Sequence, residues 1–378
     1  MNYILISDTK YRKAYDITNI INHEFPEIPI LLGVDSISLS KKINYRLSYG
    51  NKKIVLLRSY DEELFERDLD NLSMEYSNDS IIYIPVEEGT TDFFCTYVKK
   101  NKNGVFKFLL PDSNLYRMFR NKADLNEYCL ENGIAAPKRY NISDLSDDVY
   151  PIILKPKIGS GSIGIIRLDK KEDYTEEIKK NITESEYLAQ ELIPNGKNVQ
   201  GAFYLCKDGE ILGAYTHKRI RTMPEEGGVT VCSQIGDNKV LIDEGSRLLK
   251  VAKWNGLIML EFLYDSKSDK YKIIEANPRL WGSIMLSEFS GANLLKNYVN
   301  ICLGNPIEPA DIKENTKIRW PLIDFICYVK KLGRISLFWN TKDTCFINWT
   351  YAEKLRALIF LITSVLNLTN LKKLFNKI

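Results

Sequence analysis

The sequence predicts a two-part fold: a small doubly wound α/β domain, then a larger α+β domain that ends in a helical extension. Three observations predict it. As far as residue 105, short β-type runs alternate with polar helical stretches, which is the pattern of parallel α/β units. From Pro151 onward the β-type runs follow one another in pairs, as in hairpins, and after Pro309 the pattern becomes helical. The length of 378 residues also exceeds what one hydrophobic core usually supports.

The first 105 residues predict the doubly wound domain element by element. A β-type run at Tyr3–Ser7 is followed by apolar residues at helical spacing over Lys13–His23. Further β-type runs lie at Ile30–Val34, Ile54–Leu57 and Ile81–Val86, with polar helical stretches between them. We therefore expect a domain over residues 1–105.

The second part begins with a helix and continues with strands. The helix is expected over Lys122–Asn132, because Gly133 can end it and Pro137 follows shortly after. The β-type runs that follow are Ile152–Lys155, Gly164–Leu168, Ala202–Cys206, Ile211–Lys218, Leu257–Tyr264 and Tyr271–Ala276. We expect this domain over residues 106–304, with a flap subdomain at about 135–190 and a helical extension over 305–378.

Composition and charge exclude several classes of protein. Hydrophobic residues make up 44% and charged residues 27% of the chain, so neither disorder nor a collagen-like repeat is indicated. The 52 basic residues exceed the 49 acidic ones by only 3, too few to favour nucleic acid as a partner. Seven scattered cysteines, none in a Cys-x-x-Cys pair, predict neither a zinc site nor a disulfide framework. With an N-terminus that shows no export signal, they predict a cytoplasmic protein.

A glycine-rich loop follows the strand that is predicted to end at Lys155. Its glycines let backbone N–H groups converge on an anion, its serines add hydroxyl donors, and Lys155 adds a positive charge. The loop satisfies G-x-G-x-x-G, but a strand is predicted after it, which disfavours a Rossmann site. A Walker A loop would need Lys and then Ser or Thr after Gly164. We predict a flap that covers phosphates, and a glycine hairpin without a ligand is the alternative.

Two acidic residues fall in the last predicted hairpin. Glu261 interrupts an apolar run, where an unpaired charge is costly to bury. If the hairpin is symmetric about Ser268, Glu261 lies opposite Glu275, and opposed carboxylates destabilise a sheet unless a cation lies between them. The two-residue period of a strand places Glu275, Asn277 and Arg279 on one face. Because oxygen ligands favour magnesium, we predict that Glu261, Glu275 and Asn277 bind Mg²⁺; the alternative is a salt-bridged surface hairpin.

The end of this hairpin resembles a motif of the ATP-grasp superfamily, in particular of its carbamoyl-phosphate-synthase-like carboxylate-amine ligases. Their metal-binding strand reads E-x-N-P-R followed by an aromatic residue, Gly and Ser, and this chain has Glu275-Ala276-Asn277-Pro278-Arg279-Leu280-Trp281-Gly282-Ser283. The resemblance covers residues from about 80 to about 292. It implies an ATP-grasp fold preceded by a small α/β domain, with ATP and with Mg²⁺ or Mn²⁺ as cofactors.

The resemblance also implies which residues contact the nucleotide. Lys122 and Lys155 would bind phosphates, the loop would close over them, and the run after Ala189 would hold adenine. Asn198 stands where the family often has an acidic ligand of the ribose. The complete set of implied nucleotide contacts is Lys122, Lys155, Gly159, Ser160, Gly161, Ser162, Gly164, Gln190, Glu191, Leu192, Ile193 and Asn198. From spacing alone, Lys122 is as readily a solvated lysine.

A basic strand supplies candidate catalytic residues. Arg219 and Arg221 alternate along it and are expected to share a face, and a mobile-looking glycine pair follows at Gly227-Gly228. Two guanidinium groups on one face can hold a carboxylate or its acyl phosphate by bidentate hydrogen bonds. A basic sheet edge at the surface is the alternative. Arg279 is expected to face the transferred phosphate, whereas the lone His217 receives no role.

These features predict an ATP- and Mg²⁺-dependent ligase that activates a carboxylate as an acyl phosphate. An amine or similar nucleophile would then displace phosphate, so that ADP and phosphate are released. Positive charge that gathers the reacting anions carries this mechanism, and no serine, cysteine or histidine nucleophile is required. Two other functions stay open: a nucleotide-binding regulator or assembly protein without turnover, and a phosphotransferase with the same fold. The sequence does not identify the carboxylate or the amine.

The last residues of the chain are apolar and then basic. Leu355–Leu368 contains a single charged residue, Arg356, and is shorter than the roughly 20 apolar residues that span a bilayer. We expect this segment to dock on the protein itself or on a second copy in a homodimer. The alternative is contact with a membrane surface through the lysines that follow it.

Overall fold

The computed structural model describes residues 1–40, 49–50, 52–101, 104–159, 161, 163–194, 199–223, 229–320 and 344–345. Several predictions fall on other residues. Those that lie outside the described residues are Ser160, Ser162, Asn198, the pair Gly227-Gly228 and the apolar tail Leu355–Leu368.

The N-terminal part is a parallel sheet with helices between its strands. Its strands are β1 (Asn2–Ile6), β2 (Ile30–Val34), β3 (Lys53–Leu56), β4 (Ser80–Ile84) and β5 (Phe106–Lys107). Its helices are α1 (Arg12–Glu24), α2 (Ile37–Ser40), α3 (Glu62–Glu75) and α4 (Glu88–Lys100). In the strand order β3-β2-β1-β4-β5, the chain adds β2 and β3 on one side of β1 and then β4 and β5 on the other side. This is the doubly wound topology that the sequence predicts.

Two helices lead from this sheet to the flap. They are α5 (Ser113–Arg120) and α6 (Lys122–Glu131). Asn121 begins α6, because its side chain accepts a hydrogen bond from the N–H of Ala123 at 2.9 Å. Gly133 follows α6 with a left-handed φ of 66°, which most other residues disfavour. The predicted helix and its glycine stop are therefore both present.

The flap is a four-stranded antiparallel sheet with its own small core. Its strands, in the spatial order β6-β9-β7-β8, are β6 (Arg139–Tyr140), β7 (Ile152–Pro156), β8 (Ile166–Leu168) and β9 (Tyr187–Glu191). Short 3₁₀ helices at Ile142–Asp144, Asp147–Val149 and Lys171–Asp173 and the helix α7 (Glu176–Asn181) connect them. Ile152, Leu154 and Leu168 are buried between these elements. A strand, and not a helix, follows the glycine loop, as predicted.

The largest sheet has seven strands in the order β14-β13-β10-β11-β12-β15-β16. Its strands are β10 (Gln200–Lys207), β11 (Glu210–Met223), β12 (Val229–Gly236), β13 (Gly256–Asp265), β14 (Lys270–Asn277), β15 (Lys317–Arg319) and β16 (Thr344–Cys345). The helices associated with it are α8 (Lys239–Val251), α9 (Ile284–Ser290) and α10 (Leu294–Leu303). The two central hairpins of the predicted α+β domain lie side by side in this sheet.

Most of the helical extension predicted over 305–378 lies outside the described residues, so it stays a prediction. The parts that the structure describes, 305–320 and 344–345, include β15 and β16, which continue the large sheet beyond β12. Backbone pairing favours these strands, because β12 would otherwise leave a row of unpaired N–H and C=O groups at the sheet edge. In the described part of the chain, no helix is long and apolar enough to cross a membrane.

The end of β14 is fixed against the N-terminal sheet. The backbone N–H of Leu280 donates to the carbonyl oxygen of Pro85, just beyond β4, at 2.9 Å. Trp281 is buried, and its ring packs on Phe203 with 4.6 Å between ring centroids. Nζ of Lys13, on α1, lies 3.3 Å from the carbonyl oxygen of Leu280. These contacts hold the strand with the predicted metal ligands between two domains.

Candidate active site

The hairpin of β13 and β14 places Glu261 directly opposite Glu275. Asn277 faces Met259, so this half of the hairpin is symmetric about Ser268, as predicted. Near the turn, however, Asp265 faces Lys270, and the pairing there is one residue out of that symmetry. The assumption of one symmetric register along the whole hairpin is therefore wrong near its turn.

A β-bulge restores the predicted register farther from the turn. Phe262 faces Ile273 whereas Glu261 faces Glu275, so Ile274 is the extra residue of β14. The carbonyl oxygen of Ile274 accepts a hydrogen bond from Nζ of Lys155 at 3.1 Å. The bulge thus lies between two opposed carboxylates and the lysine at the end of β7, and it joins the metal strand to the flap.

Each of the three predicted metal ligands contacts a cationic side chain. Their oxygens would otherwise form a buried cluster of negative and polar groups, which is costly without positive charge nearby. The pairs are Glu261 with Arg219 at 2.5 Å, Glu275 with Lys122 at 3.5 Å, and Asn277 with Arg279 at 2.8 Å.

Burial raises the free-energy cost of the charges on Glu275 and Lys155. Burial, and after it the negative charge of Glu261, raises the pKa of Glu275, although Lys122 and Lys155 oppose the shift. Burial also lowers the pKa of Lys155, against the attraction of Glu275. Both groups therefore gain from additional charge of opposite sign, which a divalent cation and a polyphosphate would supply.

Lys122 belongs to the site and is not a solvated lysine. It is the first residue of α6 and is 8% exposed. Its backbone N–H donates to the carbonyl oxygen of Lys157 at 2.8 Å, and its Nζ donates to that of Gly159 at 2.6 Å. Lys122 therefore ties the start of α6 to the glycine loop and points its charge at Glu275.

The described part of the glycine loop has the backbone that a flap requires. Gly161 and Gly164 adopt φ values of 71° and 77°, which L-residues with side chains rarely adopt. A Cβ atom at Gly164 would also lie 3.0 Å from the ring of Pro156. Ile158 and Ile163 are exposed on the loop, and Ile163 faces the cleft described next.

One cleft joins these groups to the predicted adenine site. It has a volume of about 1180 Å³ and lies between the flap sheet and the hairpin of β13 and β14. Ten of the predicted site residues line it: Lys122, Lys155, Gly159, Gln190, Glu191, Leu192, Ile193, Arg219, Glu261 and Glu275. The cleft exceeds the volume of about 1,000 Å³ at which single-ligand pockets usually end, so it has room for a nucleotide and a second molecule.

The hinge at the far end of the cleft is built from backbone and apolar side chains. Gln190 and Ile193 are buried, and the N–H of Leu192 donates to the carbonyl oxygen of Pro151 at 3.2 Å. The carboxylate of Glu191 lies against Lys272, 2.5 Å from its Nζ. The contribution of Glu191 to the cleft therefore falls to its backbone and its hydrocarbon stem.

Arg219 and Arg221 lie on either side of an irregularity in β11. Arg219 faces Ser233, Arg221 faces Cys232 and Thr222 faces Thr230, so the pairing shifts on both sides of Arg221. Arg219 lines the cleft, and Arg221 is not among the residues that line it. The shared face of the two arginines stays a prediction.

Arg279 departs from a simple strand pattern, and His217 is buried. Arg279 lies beyond the end of β14, and its guanidinium pairs with Glu88 of α4 at 3.1 Å instead of lining the cleft. The two-residue period does not reach it, because its N–H turns back to the carbonyl of Asn277 at 2.8 Å. Burial lowers the pKa of His217 to about 3, so this histidine stays neutral.

The donor set suits magnesium. Glu261, Glu275 and Asn277 offer oxygen only, and they face cations that a metal ion could replace. Among the described residues, no group of three or more His, Cys, Asp or Glu could hold a metal ion. The protein would therefore supply few ligands, and phosphate oxygens and water would complete the shell, as is usual for Mg²⁺.

The cleft lies between two sheets, and lysines and two opposed carboxylates line it. This arrangement is that of a fold which binds its ligand between two sheets. Residues 119–283 match the profile of a family described as the ATP-grasp domain. These residues therefore form an ATP-grasp domain, and over this part of the chain the resemblance to the ATP-grasp superfamily is confirmed. No curated protein matches the sequence.

Solved structures show the same fold at low sequence identity. The biotin carboxylase domain of 2-oxoglutarate carboxylase from Hydrogenobacter thermophilus, a dimer in complex with MgADP and bicarbonate, is 14% identical, with a TM-score of 0.65. The alignment covers 84% of this chain and 73% of that one. An L-amino acid ligase from Bacillus licheniformis is 16% identical over 84% of this chain and 78% of its own, with a TM-score of 0.59.

A third similar structure contains a different small molecule beside ADP. It is an N5-carboxyaminoimidazole synthase from Aspergillus clavatus in complex with ADP and 5-aminoimidazole ribonucleotide. It is 13% identical, with 84% of this chain and 80% of that chain covered and a TM-score of 0.61. At these identities the comparison establishes the fold of this chain.

Sequence reasoning missed the residues that support the site from behind. Lys272 and Asp265 hold the hinge, and Glu88 holds Arg279. Lys272 and Glu191 are separated by 81 positions, so no local pattern signals their contact. The bulge at Ile274 also leaves no mark in the sequence, because an ordinary β-branched residue occupies it.

Proposed function

We propose that this chain is an ATP- and Mg²⁺-dependent ligase that activates a carboxylate as an acyl phosphate for attack by an amine or similar nucleophile. The opposed pair Glu261 and Glu275 carries the proposal, because it faces Lys122 and Lys155 across a cleft with room for a nucleotide and a second molecule. Anionic oxygens and cationic lysines at such short range suit a site that brings a metal ion and phosphates together.

The residues have distinct proposed roles. Glu261, Glu275 and Asn277 would hold Mg²⁺, which when bound draws charge from the phosphate oxygens and thereby favours phosphoryl transfer. Lys122 and Lys155 would bind the phosphates under the glycine loop. The hinge Gln190–Ile193 would hold adenine, with Asn198 as the proposed contact of the ribose.

Arg219 is the proposed ligand of the acceptor carboxylate. It lines the cleft beside Glu261, and its Nε is buried with no hydrogen-bond partner among the described residues. A guanidinium in this position can orient a carboxylate toward the γ-phosphate. Arg221 and Arg279, which were grouped with it, would act from outside the cleft, and Arg279 would do so by holding Asn277.

The reaction transfers one phosphoryl group and then releases it. A carboxylate oxygen attacks the γ-phosphorus, the bond from that phosphorus to the bridging oxygen breaks, and ADP leaves. The amine nitrogen attacks the acyl carbon, the carbon–oxygen bond to phosphate breaks, and the amine loses a proton to solvent. The charged side chains act by gathering anions and holding them in line. We place this reaction in a reducing cytoplasm, in which free thiols such as Cys95, Cys129, Cys206, Cys232 and Cys302 persist.

The test is a screen for ADP release with pairs of a carboxylate, taken from amino acids and sugar acids, and an amine. We expect ADP and phosphate to form only with Mg²⁺, ATP and a matching pair, and Glu275→Gln to abolish the release. AMP and pyrophosphate as products would contradict the acyl-phosphate scheme.

Other outcomes would point to the alternatives. A stable phosphorylated product that forms without any amine would identify a phosphotransferase. Binding of ATP with no turnover on any pair would favour a regulator or assembly protein of the same fold.

A further inference from the structure

A partly buried ion triplet connects the adenine hinge to the metal-binding hairpin. Nζ of Lys272, on β14, donates to Oε1 of Glu191 at 2.5 Å and lies 2.9 Å from Oδ2 of Asp265. The side chains of Lys272 and Asp265 are 12% and 4% exposed. One ammonium group therefore pairs with two carboxylates that belong to different sheets.

Both carboxylates of the triplet are held by further hydrogen bonds. Asp265 accepts from the hydroxyl of Ser268 at 2.6 Å and from the N–H of Lys267 at 3.0 Å, which fixes it to the hairpin turn. Glu191 also accepts from the N–H of Lys138 at 2.8 Å, which fixes it to β6 of the flap. Lys272 is the shared partner, so it links the turn of the hairpin to the hinge.

Electrostatics favour the closed triplet. Burial alone would lower the pKa of Lys272, but hydrogen bonds to Glu191 and Asp265 raise it above its ordinary value. The pKa of Asp265 falls to about 2, because the hydrogen bonds of Ser268 and Lys272 outweigh its burial. Lys272 and Asp265 therefore stay charged, and opening the link would leave the buried carboxylate of Asp265 without its ion-pair partner.

The position of the link gives it a role in the proposed reaction. Lys272 lies two positions before Ile274, whose carbonyl contacts Lys155, and three before Glu275. Glu191 ends β9 and belongs to the hinge at the other end of the cleft. A nucleotide in the cleft would reach from that hinge to Glu275, so the link sets the distance that it has to span.

We propose that Lys272 is a positioning residue that fixes the adenine hinge relative to the metal-binding strand, and so couples base binding to phosphate binding. The inference rests on the proposed function, since it takes the cleft to be a nucleotide site. It assigns Lys272 no contact with the nucleotide, because Lys272 is not among the residues that line the cleft.

The test compares a ligand that needs both ends of the cleft with one that needs only the metal end. Dissociation constants for ADP and for inorganic tripolyphosphate, each with Mg²⁺, are measured by calorimetry on the full chain. We expect Lys272→Met to weaken ADP binding about tenfold and to leave tripolyphosphate binding within about twofold, which corresponds to a loss of about 1.4 kcal/mol for ADP alone.

Two further variants keep the test decisive if Lys272→Met folds poorly. Glu191→Gln leaves Lys272 paired with Asp265 and still offers an acceptor to Lys138, and we expect about a threefold selective loss of ADP affinity. Lys272→Arg should restore most of the ADP affinity, because it keeps the positive charge.

The matched control is Lys270→Met. Lys270 lies on the same face of β14, is exposed, and makes no ion pair with a described residue, so neither affinity should change. Equal losses for both ligands, or no loss of ADP affinity in Lys272→Met and Glu191→Gln, would overturn the inference. If the wild-type chain bound neither ligand, the proposed function would fail instead.

Discussion

Different kinds of chemical group line the two ends of the cleft. At the metal end, the wall consists of charged side chains, Glu261, Glu275, Lys122 and Lys155, that contact one another directly or through a carbonyl. At the hinge end, backbone and apolar groups form the wall, and the carboxylate of Glu191 lies against Lys272. The metal end should therefore respond to single charges, whereas the hinge end should respond to shape and spacing.

The largest effect is expected at the metal end, from Glu261→Gln. The substitution keeps the shape of the side chain but removes one of two opposed negative charges. We expect at least a 1,000-fold loss of ADP release, since a metal ligand contributes several kcal/mol to transition-state stabilisation.

Titration of Mg²⁺ in the presence of ADP separates this effect from a general defect. Glu261→Gln should weaken Mg²⁺ binding, whereas Glu210→Gln, an exposed glutamate at the start of β11, should leave both measurements unchanged. Unaltered Mg²⁺ affinity in Glu261→Gln would show that this carboxylate is not a metal ligand.

A second prediction compares how the two ends of the cleft contribute to the pH dependence of stability. Burial and the charge of Glu261 raise the pKa of Glu275 to about 7, from an ordinary value of 4.5. A carboxyl group with a raised pKa contributes stability that is complete below 4.5 and is lost as pH rises through 7. Without ligand, Glu275→Gln should therefore be more stable than the wild type at pH 8.5, by up to about 3 kcal/mol, with a smaller difference at pH 5.

The pKa shift of Asp265 has the opposite sign to that of Glu275. Its pKa is lowered to about 2 from 3.8, so the stability it contributes is present above 3.8 and is lost as pH falls through 2. Asp265→Asn should destabilise the protein at pH 8.5 by about 3 kcal/mol, because Lys272 loses a buried partner. Urea unfolding of both variants and the wild type at pH 5 and 8.5 gives these differences. If both substitutions changed the free energy of unfolding in the same direction at pH 8.5, the contrast between the two ends would be contradicted.

The metal end could be predicted from the sequence because its chemistry resides in residue identity. An acidic residue inside an apolar strand, such as Glu261, and an E-x-N-P-R run indicate buried charge whatever the details of packing. The opposition of Glu261 and Glu275 was also predicted, although its derivation assumed a register that the bulge at Ile274 interrupts. The hairpin pattern and the glycine stops likewise fixed most strands and the helix α6.

The remaining features depend on contacts that no local pattern encodes. Bulges cannot be located from residue types, so the irregular pairing of β11 around Arg221 has no local signal in the sequence. Arg279 was placed by strand alternation, but the chain turns before it and directs it to Glu88. Strand β15 pairs with β12, whose backbone N–H and C=O groups would otherwise stay unpaired. That requirement arises only in the assembled sheet.

A third prediction concerns Lys155, which belongs to the metal end but is carried by the flap. Lys155→Met removes a buried ammonium group that faces the proposed phosphates. Charge-assisted hydrogen bonds contribute about 2 kcal/mol, so the dissociation constants of ADP and tripolyphosphate should both rise about 30-fold. Lys180→Met, which changes an exposed lysine near the end of α7, should alter neither constant. A loss for ADP alone would place Lys155 at the base and not at the phosphates.

The smallest effect is expected at the hinge, from Ile193→Ala. Ile193 is buried and lines the cleft, so its truncation removes apolar contact with a bound base but no charge. We expect ADP affinity to fall about fivefold, or about 1 kcal/mol, because only part of the side chain faces the cleft. Tripolyphosphate affinity should not change, since that ligand does not reach the hinge. A loss of tripolyphosphate affinity would mean that the apolar wall also positions the phosphates, and the two ends of the cleft would then act as one unit.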